Sequence, residues 1–430
     1  MFEQANNPAT RGVSAMSTSV RTVARVSATD KGLIRLLGPA FVAAIAYVDP
    51  GNVAANLSAG SQYGYLLVWV LVLANFMAVI AQYLSAKLGV VTGRSLPEIL
   101  GERMPRAARL GYWIQAEVVA AATDLAEVIG GALALQILFG VPLVLGGLII
   151  GVVSVGILAM QSRSQRRFET VIMGLLAVIT LGFAGGVFVS PVGWGSAAGG
   201  LVPRFEGTNT VLLAASMLGA TVMPHAIYLH SALSRDRHGV SQDLVRIRRL
   251  LHATRWDVVL ALMIAGSVNI AMLLLAASSL PGVAGTDTIQ GAAHEISVHL
   301  GAGVGIIFGI GLLASGLAST SVGSYAGAAI MSSLLHIRVP VLVRRTITLV
   351  PALVVLGLGV NPTWALVLSQ VVLSLGIPFA VIPLVWFTSR TELMGVLVNR
   401  TPMRVVAGIV TVGIVALNVL LVYLSVGGQP

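Results

Sequence analysis

Eleven stretches of this chain are apolar over the roughly 20 residues a helix needs to cross a hydrocarbon core, and short linkers join them. Their approximate ranges are 36–58, 64–90, 108–138, 141–160, 169–190, 209–233, 256–280, 296–333, 340–358, 363–387 and 403–425. In lipid every backbone polar group must be satisfied internally, so segments of this length become helices. Charged residues make up only 10% of the chain, against about 25% in a soluble domain. The expectation is an all-α polytopic membrane protein of eleven transmembrane helices. A single integral domain then spans residues 33–430, with the third and eighth segments extending beyond the bilayer. Residues 1–32 are rich in Ser, Thr, Ala and Arg and lack an apolar core, so they read as a flexible cytoplasmic tail rather than a signal peptide.

Charge sets the orientation. Basic residues cluster before the first segment (Arg21, Arg25, Lys31, Arg35) and between the second and third (Arg94, Arg103, Arg106). They recur between the fourth and fifth (Arg163, Arg166, Arg167) and between the sixth and seventh (Arg235, Arg237, Arg246, Arg248, Arg249). The last clusters lie between the eighth and ninth (Arg338, Arg344, Arg345) and the tenth and eleventh (Arg390, Arg400). Among the alternate loops Arg204 is the clear exception. This positive-inside pattern predicts a multi-pass plasma-membrane protein with a cytoplasmic N-terminus and an external C-terminus. The net charge of +10 is thus a topology signal, not a nucleic-acid surface. There is no cysteine, which excludes disulfides, thiolate metal sites and cysteine nucleophiles.

Two segments are interrupted alike. The first reads Ala46-Tyr47-Val48-Asp49-Pro50-Gly51-Asn52, the sixth Ala220-Thr221-Val222-Met223-Pro224-His225. Proline removes a donor and clashes with the preceding turn, so each helix opens there. Irregular backbone at membrane depth survives only inside protein or along a cavity. The breaks lie five segments apart, and an odd repeat starts its second copy from the opposite face. Segments 1–5 (about 33–190) and 6–10 (about 209–388) then read as inverted repeats, with an extra helix at about 403–425. Such paired breaks place a site near the bilayer midplane.

The side chains at the breaks suggest a metal ion. Asp49 costs roughly 2.5–3.5 kcal/mol at the membrane centre and calls for a cation. Asn52 lies one turn on, the unwound backbone frees carbonyls near Ala46 and Ala220, and Met223 supplies a polarizable sulfur. Oxygen alone suits Mg²⁺ or Ca²⁺, whereas a thioether shifts preference toward later metals, here Mn²⁺ or Fe²⁺ with Co²⁺ and Cd²⁺ admitted. A mid-membrane Asp also suits Na⁺ or a proton, and Met is commonly core filler.

Segment 3 carries Glu117, Asp124 and Glu127. At about 100° per residue all three fall on one stripe about 80° wide. Acids there need water, cations or protons, which points to a proton relay. Static ion pairs to Arg344 or Arg345 are the other reading, and the two can coexist. His225 and His230 are candidate relays or neutral hydrogen-bonding groups. Gln82 is a candidate polar contact across an outer gate, with Tyr47 and His230 as further gate residues.

Asp49-Pro50-Gly51-Asn52 and Met223-Pro224-His225 resemble the two signature motifs of the Nramp family, proton-coupled divalent metal transporters whose bacterial members import manganese. The resemblance extends through Ala43-Ala44-Ile45-Ala46-Tyr47-Val48, Tyr228-Leu229-His230-Ser231-Ala232-Leu233, Leu368-Ser369-Gln370-Val371, Pro378-Phe379-Ala380 and Ile382-Pro383-Leu384, over about residues 33–425. It implies a LeuT-like fold of eleven helices. It implies that Asp49, Asn52 and Met223 bind metal with the Ala46 and Ala220 carbonyls, joined by Gln370 in some conformations. It also implies proton coupling, with Asp49 as first acceptor, Asp124 next and Glu127 as conduit. Leu317 and Ala328 depart from the family, which often has polar residues there.

The reading is a secondary transporter and not an enzyme, working as a monomer with no bound cofactor. A magnesium transporter of the same fold or a Na⁺-coupled organic-solute transporter is the alternative. A free carboxylate opposite a thioether does not suit an anionic organic group. No Gly-x-Ser-x-Gly elbow or His-Glu-x-x-His motif supports a hydrolase.

Overall fold

The computed structural model describes residues 39–426 except 164, 282, 284, 287 and 338. The expected tail 1–32, its Arg21, Arg25 and Lys31, and also Arg35 and Arg338, lie outside the described residues. Every regular element among those described is helical. In chain order these are α1 (Pro39–Ala44), a 3₁₀ turn (Ile45–Val48), α2 (Pro50–Tyr63), α3 (Val68–Thr92), α4 (Leu96–Arg103), α5 (Arg106–Phe139), α6 (Leu143–Arg163) and α7 (Gln165–Val189). There follow α8 (Trp194–Gly199), α9 (Thr208–Thr221), α10 (Pro224–His238), α11 (Leu244–Ser279), α12 (Ile289–Leu300) and α13 (Ala302–Leu335). The chain closes with α14 (Val341–Gly357), α15 (Pro362–Thr388), α16 (Thr391–Met394), a 3₁₀ turn (Gly395–Leu397) and α17 (Thr401–Ser425).

Among the described residues each expected segment falls on one helix or one broken helix, except the eighth, which covers parts of two. Eight helices among those residues are long and apolar enough to span a bilayer, counting α9 with α10 as one. The first, fourth and ninth segments coincide with shorter apolar elements: α1 to α2, the Leu143–Ile157 part of α6, and α14. The chain is a multi-pass membrane protein. Its apolar side chains point outward as well as inward, with Phe76, Leu181, Phe188, Ile409 and Val412 all exposed. An outer surface of this kind has to be wetted by lipid rather than water.

Two expected boundaries move. The eighth segment does not begin at 296: residues 289–300 form the separate helix α12, and the chain turns at Gly301, whose φ of 103° favours glycine. The seventh helix starts at Leu244 rather than near 256, because Asp243 caps it by accepting from the Val245 N–H and carries it back through the arginine cluster.

The core is built around the broken helices. The α9–α10 unit has 94% of its most apolar window buried, whereas α17 has 28%. The broken first helix is enclosed by α11, α9, α13, α15 and α5. Of these, α11, α13 and α15 supply Asn269, Ser315 and Gln370 to the first break.

Candidate functional site

The proline of each break sits at the first position of the second half-helix, with Asp49 and Met223 as the equivalent N-caps. A helical carbonyl pairs with the N–H four residues on. For Ala46 that residue is Pro50, and for Ala220 it is Pro224, so the usual donor is missing in both cases. The other unwound carbonyls of the first break are taken up by neighbours. Asn269 of α11 donates to the Tyr47 carbonyl (2.8 Å), and Ser315 of α13 donates to that of Val48 (2.5 Å). Asn56 donates in turn to Asn269 (3.2 Å).

Asp49, Asn52, Met223, Ala46, Ala220 and Gln370 are all buried. The Asp49 Oδ1 accepts from the Asn52 backbone N–H (2.7 Å) and from Asn52 Nδ2 (2.8 Å). The same Nδ2 donates to the Ala220 carbonyl (2.9 Å), so one amide ties the two breaks together across 168 residues of chain. Gln370 of α15 donates from Nε2 to Asp49 Oδ2 (3.3 Å). Two acceptors of this set, Asn52 Oδ1 and Gln370 Oε1, are buried without a hydrogen-bond partner among the described residues. A buried polar atom left unpaired costs about 1–3 kcal/mol. Carboxylate, amide oxygens, proline-freed carbonyls and a thioether suit a borderline divalent metal.

Glycines at both breaks face α15 closely, Gly219 against its backbone and Gly51 against a side chain. A Cβ at Gly219 would lie 2.0 Å from the Gln370 carbonyl oxygen, and one at Gly51 would lie 1.8 Å from Gln370 Nε2.

The acid stripe resolves into three different environments. Arg344 donates to Glu117 Oε1 (3.0 Å), and Arg345 donates to Asp124 Oδ1 (2.9 Å) with both side chains 2% exposed. Gly327 leaves the room that the Arg344 guanidinium fills. Glu127 is buried with no ion pair among the described residues, and neither carboxylate oxygen has a hydrogen-bond partner. His225 turns toward this helix, its Nδ1 lying 3.4 Å from Thr123 Oγ1.

Tyr47, Gln82 and His230 meet in a chain. Gln82 Nε2 bonds the Tyr47 hydroxyl, and Gln82 Oε1 lies 2.7 Å from His230 Nδ1. This chain of contacts joins the 3₁₀ turn to α10, the half-helix that ends in Arg235 and Arg237. Leu317 and Ala328 are both half-buried on α13, the helix that carries Ser315.

Sequence reasoning missed Asn56, Asn269 and Ser315. The available signal was an Asn or Ser inside an apolar segment, where an unpaired amide is costly.

A pair of discontinuous helices meeting at a carboxylate inside an enclosed multi-pass bundle defines a secondary-transporter architecture. Residues 40–424 match the family described as natural resistance-associated macrophage protein-like (Nramp). The chain belongs to the Nramp family. It is 61% identical over 394 residues to the divalent metal cation transporter MntH of Mycobacterium tuberculosis, covering 91% of this chain and 92% of that protein. The structure of the Eremococcus coleocola manganese transporter superposes with a TM-score of 0.83 at 26% identity, over 94% of this chain and 91% of the other. MhsT, solved with L-phenylalanine, superposes with a TM-score of 0.55 at 17% identity, over 88% of this chain and 98% of its own, a likeness of LeuT-type fold alone.

Proposed function

We propose that this chain imports divalent transition-metal ions, Mn²⁺ first and Fe²⁺, Co²⁺ and Cd²⁺ beside it, together with protons, by alternating access around Asp49. The observation that carries the reading is the pair of unpartnered buried oxygens, Asn52 Oδ1 and Gln370 Oε1, beside the Asp49 carboxylate. A cation held between them satisfies both and neutralises the acid. Met223 and the Ala46 and Ala220 carbonyls complete the ligand set. The Met223 sulfur argues against a magnesium carrier.

Protons travel along the α5 stripe. Metal entry displaces a proton from Asp49, and Asp124 and Glu127 pass it on. A buried carboxyl without a donor holds a proton at lower cost than a charge, which suits Glu127 to the carrier role. Arg344 and Arg345 keep Glu117 and Asp124 in place, and His225 borders the route. Tyr47, Gln82 and His230 form the gate on the arginine-rich side. That side is cytoplasmic by the positive-inside rule, with the N-terminus inside, the C-terminus outside and eleven spans in all. Residues 33–190 and 209–388 act as inverted repeats, and one chain holds a complete site, so a monomer suffices. An inside-negative potential adds roughly 2.3 kcal/mol per charge per 100 mV to entry.

Proteoliposomes test this. Under an inward Mn²⁺ gradient and inside-negative potential, Mn²⁺ should enter and the interior acidify. No Mn²⁺ entry sinks the reading, and entry without acidification removes its proton part alone.

A further inference from the structure

Helix α11 is 36 residues long, or about 54 Å, more than the ~40–45 Å of a whole bilayer with its headgroup layers. Its apolar part begins near Trp256, so about 12 residues, or about 18 Å, continue past that point at the arginine-rich end. The continuation is fixed in place. Ile247, Leu250 and Leu251 form a small buried cluster with Val90 of α3, against which Val91 and Leu397 also pack.

The opposite face is exposed and basic. Val245, Arg248, His252, Arg255 and Trp256 all lie on it. At about 100° per residue they fall within roughly 100° of arc, in line with the exposed Met263 further along. Neither Arg248 nor Arg255 has an ion pair among the described residues. The nearest acid on the helix, Asp257, points the other way, accepting from the Ala40 N–H at 3.0 Å to hold the start of α1.

We infer that this face binds an anionic phospholipid of the arginine-side leaflet, its phosphate on Arg248 and Arg255 and its acyl chain along the apolar continuation. The stripe is continuous from basic to aromatic to aliphatic, with Trp256 at the junction. Only a partner with an anionic head and an apolar tail matches that order, and indole rings favour this interfacial depth. Each basic residue near an anionic surface adds to the attraction, which salt screens. Because Asp257 holds α1 from the other side of the same turn, a bound headgroup braces the helix on which α1 rests. The inference does not depend on which ion the protein carries.

The test is lipid retention by the full chain purified from mixed phosphatidylglycerol and phosphatidylcholine, read by native mass spectrometry. The wild type should keep phosphatidylglycerol in preference. Arg248→Gln with Arg255→Gln should lower that preference at least threefold, and Arg390→Gln with Arg400→Gln on the same side should leave it unchanged. Equal retention in both double variants and the wild type, or equal loss in both, overturns the inference. A second measurement needs no variant: a photoactivatable phosphatidylglycerol should crosslink within residues 244–264 of the wild type. Labelling confined to other segments overturns it as well.

Discussion

The two breaks are alike in backbone and opposite in chemistry. Each puts an alanine carbonyl four residues before a proline, and each starts its second half-helix at that proline. The first carries a carboxylate that caps its own half-helix through the Asn52 N–H (2.7 Å). The second has Met223 at the equivalent cap, with no side-chain hydrogen bond. In the reading proposed above, a metal ion between them would meet charge on one side and polarizability on the other. The matching breaks would then supply geometry, and the contrast of Asp49 with Met223 would supply selectivity.

The sharpest way to break this division is Asp49→Asn, which keeps the size and removes the charge. Mn²⁺ uptake in proteoliposomes should fall at least about a hundredfold, corresponding to about 2.7 kcal/mol or more. Uptake near the wild-type level would end the claim that the first break supplies the charge.

The glycines come next, because they pack against α15 differently. A Cβ at Gly219 meets the Gln370 carbonyl and, at 2.7 Å, the Ser374 nitrogen, which are backbone and cannot step aside. A Cβ at Gly51 meets only the Gln370 side chain. Gly219→Ala should destabilise the fold by about 1–3 kcal/mol, seen as a lower melting temperature. Gly51→Ala should fold normally, displace the amide from Asp49 and weaken Mn²⁺ binding. Equal melting losses in both variants would show that the breaks pack on α15 in the same way.

Met223→Ala sharpens the chemical half. Competition uptake should show Ca²⁺ or Mg²⁺ gaining about tenfold on Mn²⁺, since the remaining donors are oxygen and suit hard ions. Unchanged selectivity would reduce Met223 to core packing.

Much of this plan was legible because it is written locally. Apolar length gave the spans, proline gave the breaks, and helical periodicity put Glu117, Asp124 and Glu127 on one face. What escaped depends on partners distant in sequence. Nothing near Asn269 says that it meets the Tyr47 carbonyl 222 residues away. Nothing near Gln82 says that it meets both Tyr47 and His230; that follows from how α3 lies against α10. The split of the acid stripe into two paired carboxyls and an unpaired Glu127 likewise needed the positions of Arg344 and Arg345. The start of α11 was misjudged for a different reason: an interfacial stretch is too charged to count as a span, yet its buried face is apolar enough to stay helical.

The smallest effects concern how the two half-helices on the arginine-rich side are held. The second-break half, α10, is held by an Arg235–Glu98 ion pair to α4, by Ser231 accepting from the Leu96 N–H (2.9 Å) and by Ser85 donating to the Ile227 carbonyl (2.5 Å). The start of the first-break half, α1, is held at Ala40 by Asp257 (3.0 Å). Burial alone pushes the Glu98 carboxyl up, but the Ser95 N–H and the Arg235 guanidinium outweigh it and hold the group below the usual carboxylate range. Its contribution is thus complete above that range and is lost as pH falls through the depressed value. Both partners are partly exposed, so Glu98→Gln should cost only about 0.5–1 kcal/mol at neutral pH, with the gap to wild type closing in acid. The chain has no cysteine, so single thiols report each half cleanly. Asp257→Ala should speed labelling of Ala44→Cys in α1 several-fold. Glu98→Gln should barely change labelling of Ala226→Cys in α10, where two further hydrogen bonds remain. If both thiols respond equally, α1 is held no more loosely than α10, and the half-helix that opens toward the arginine-rich side has to be sought elsewhere.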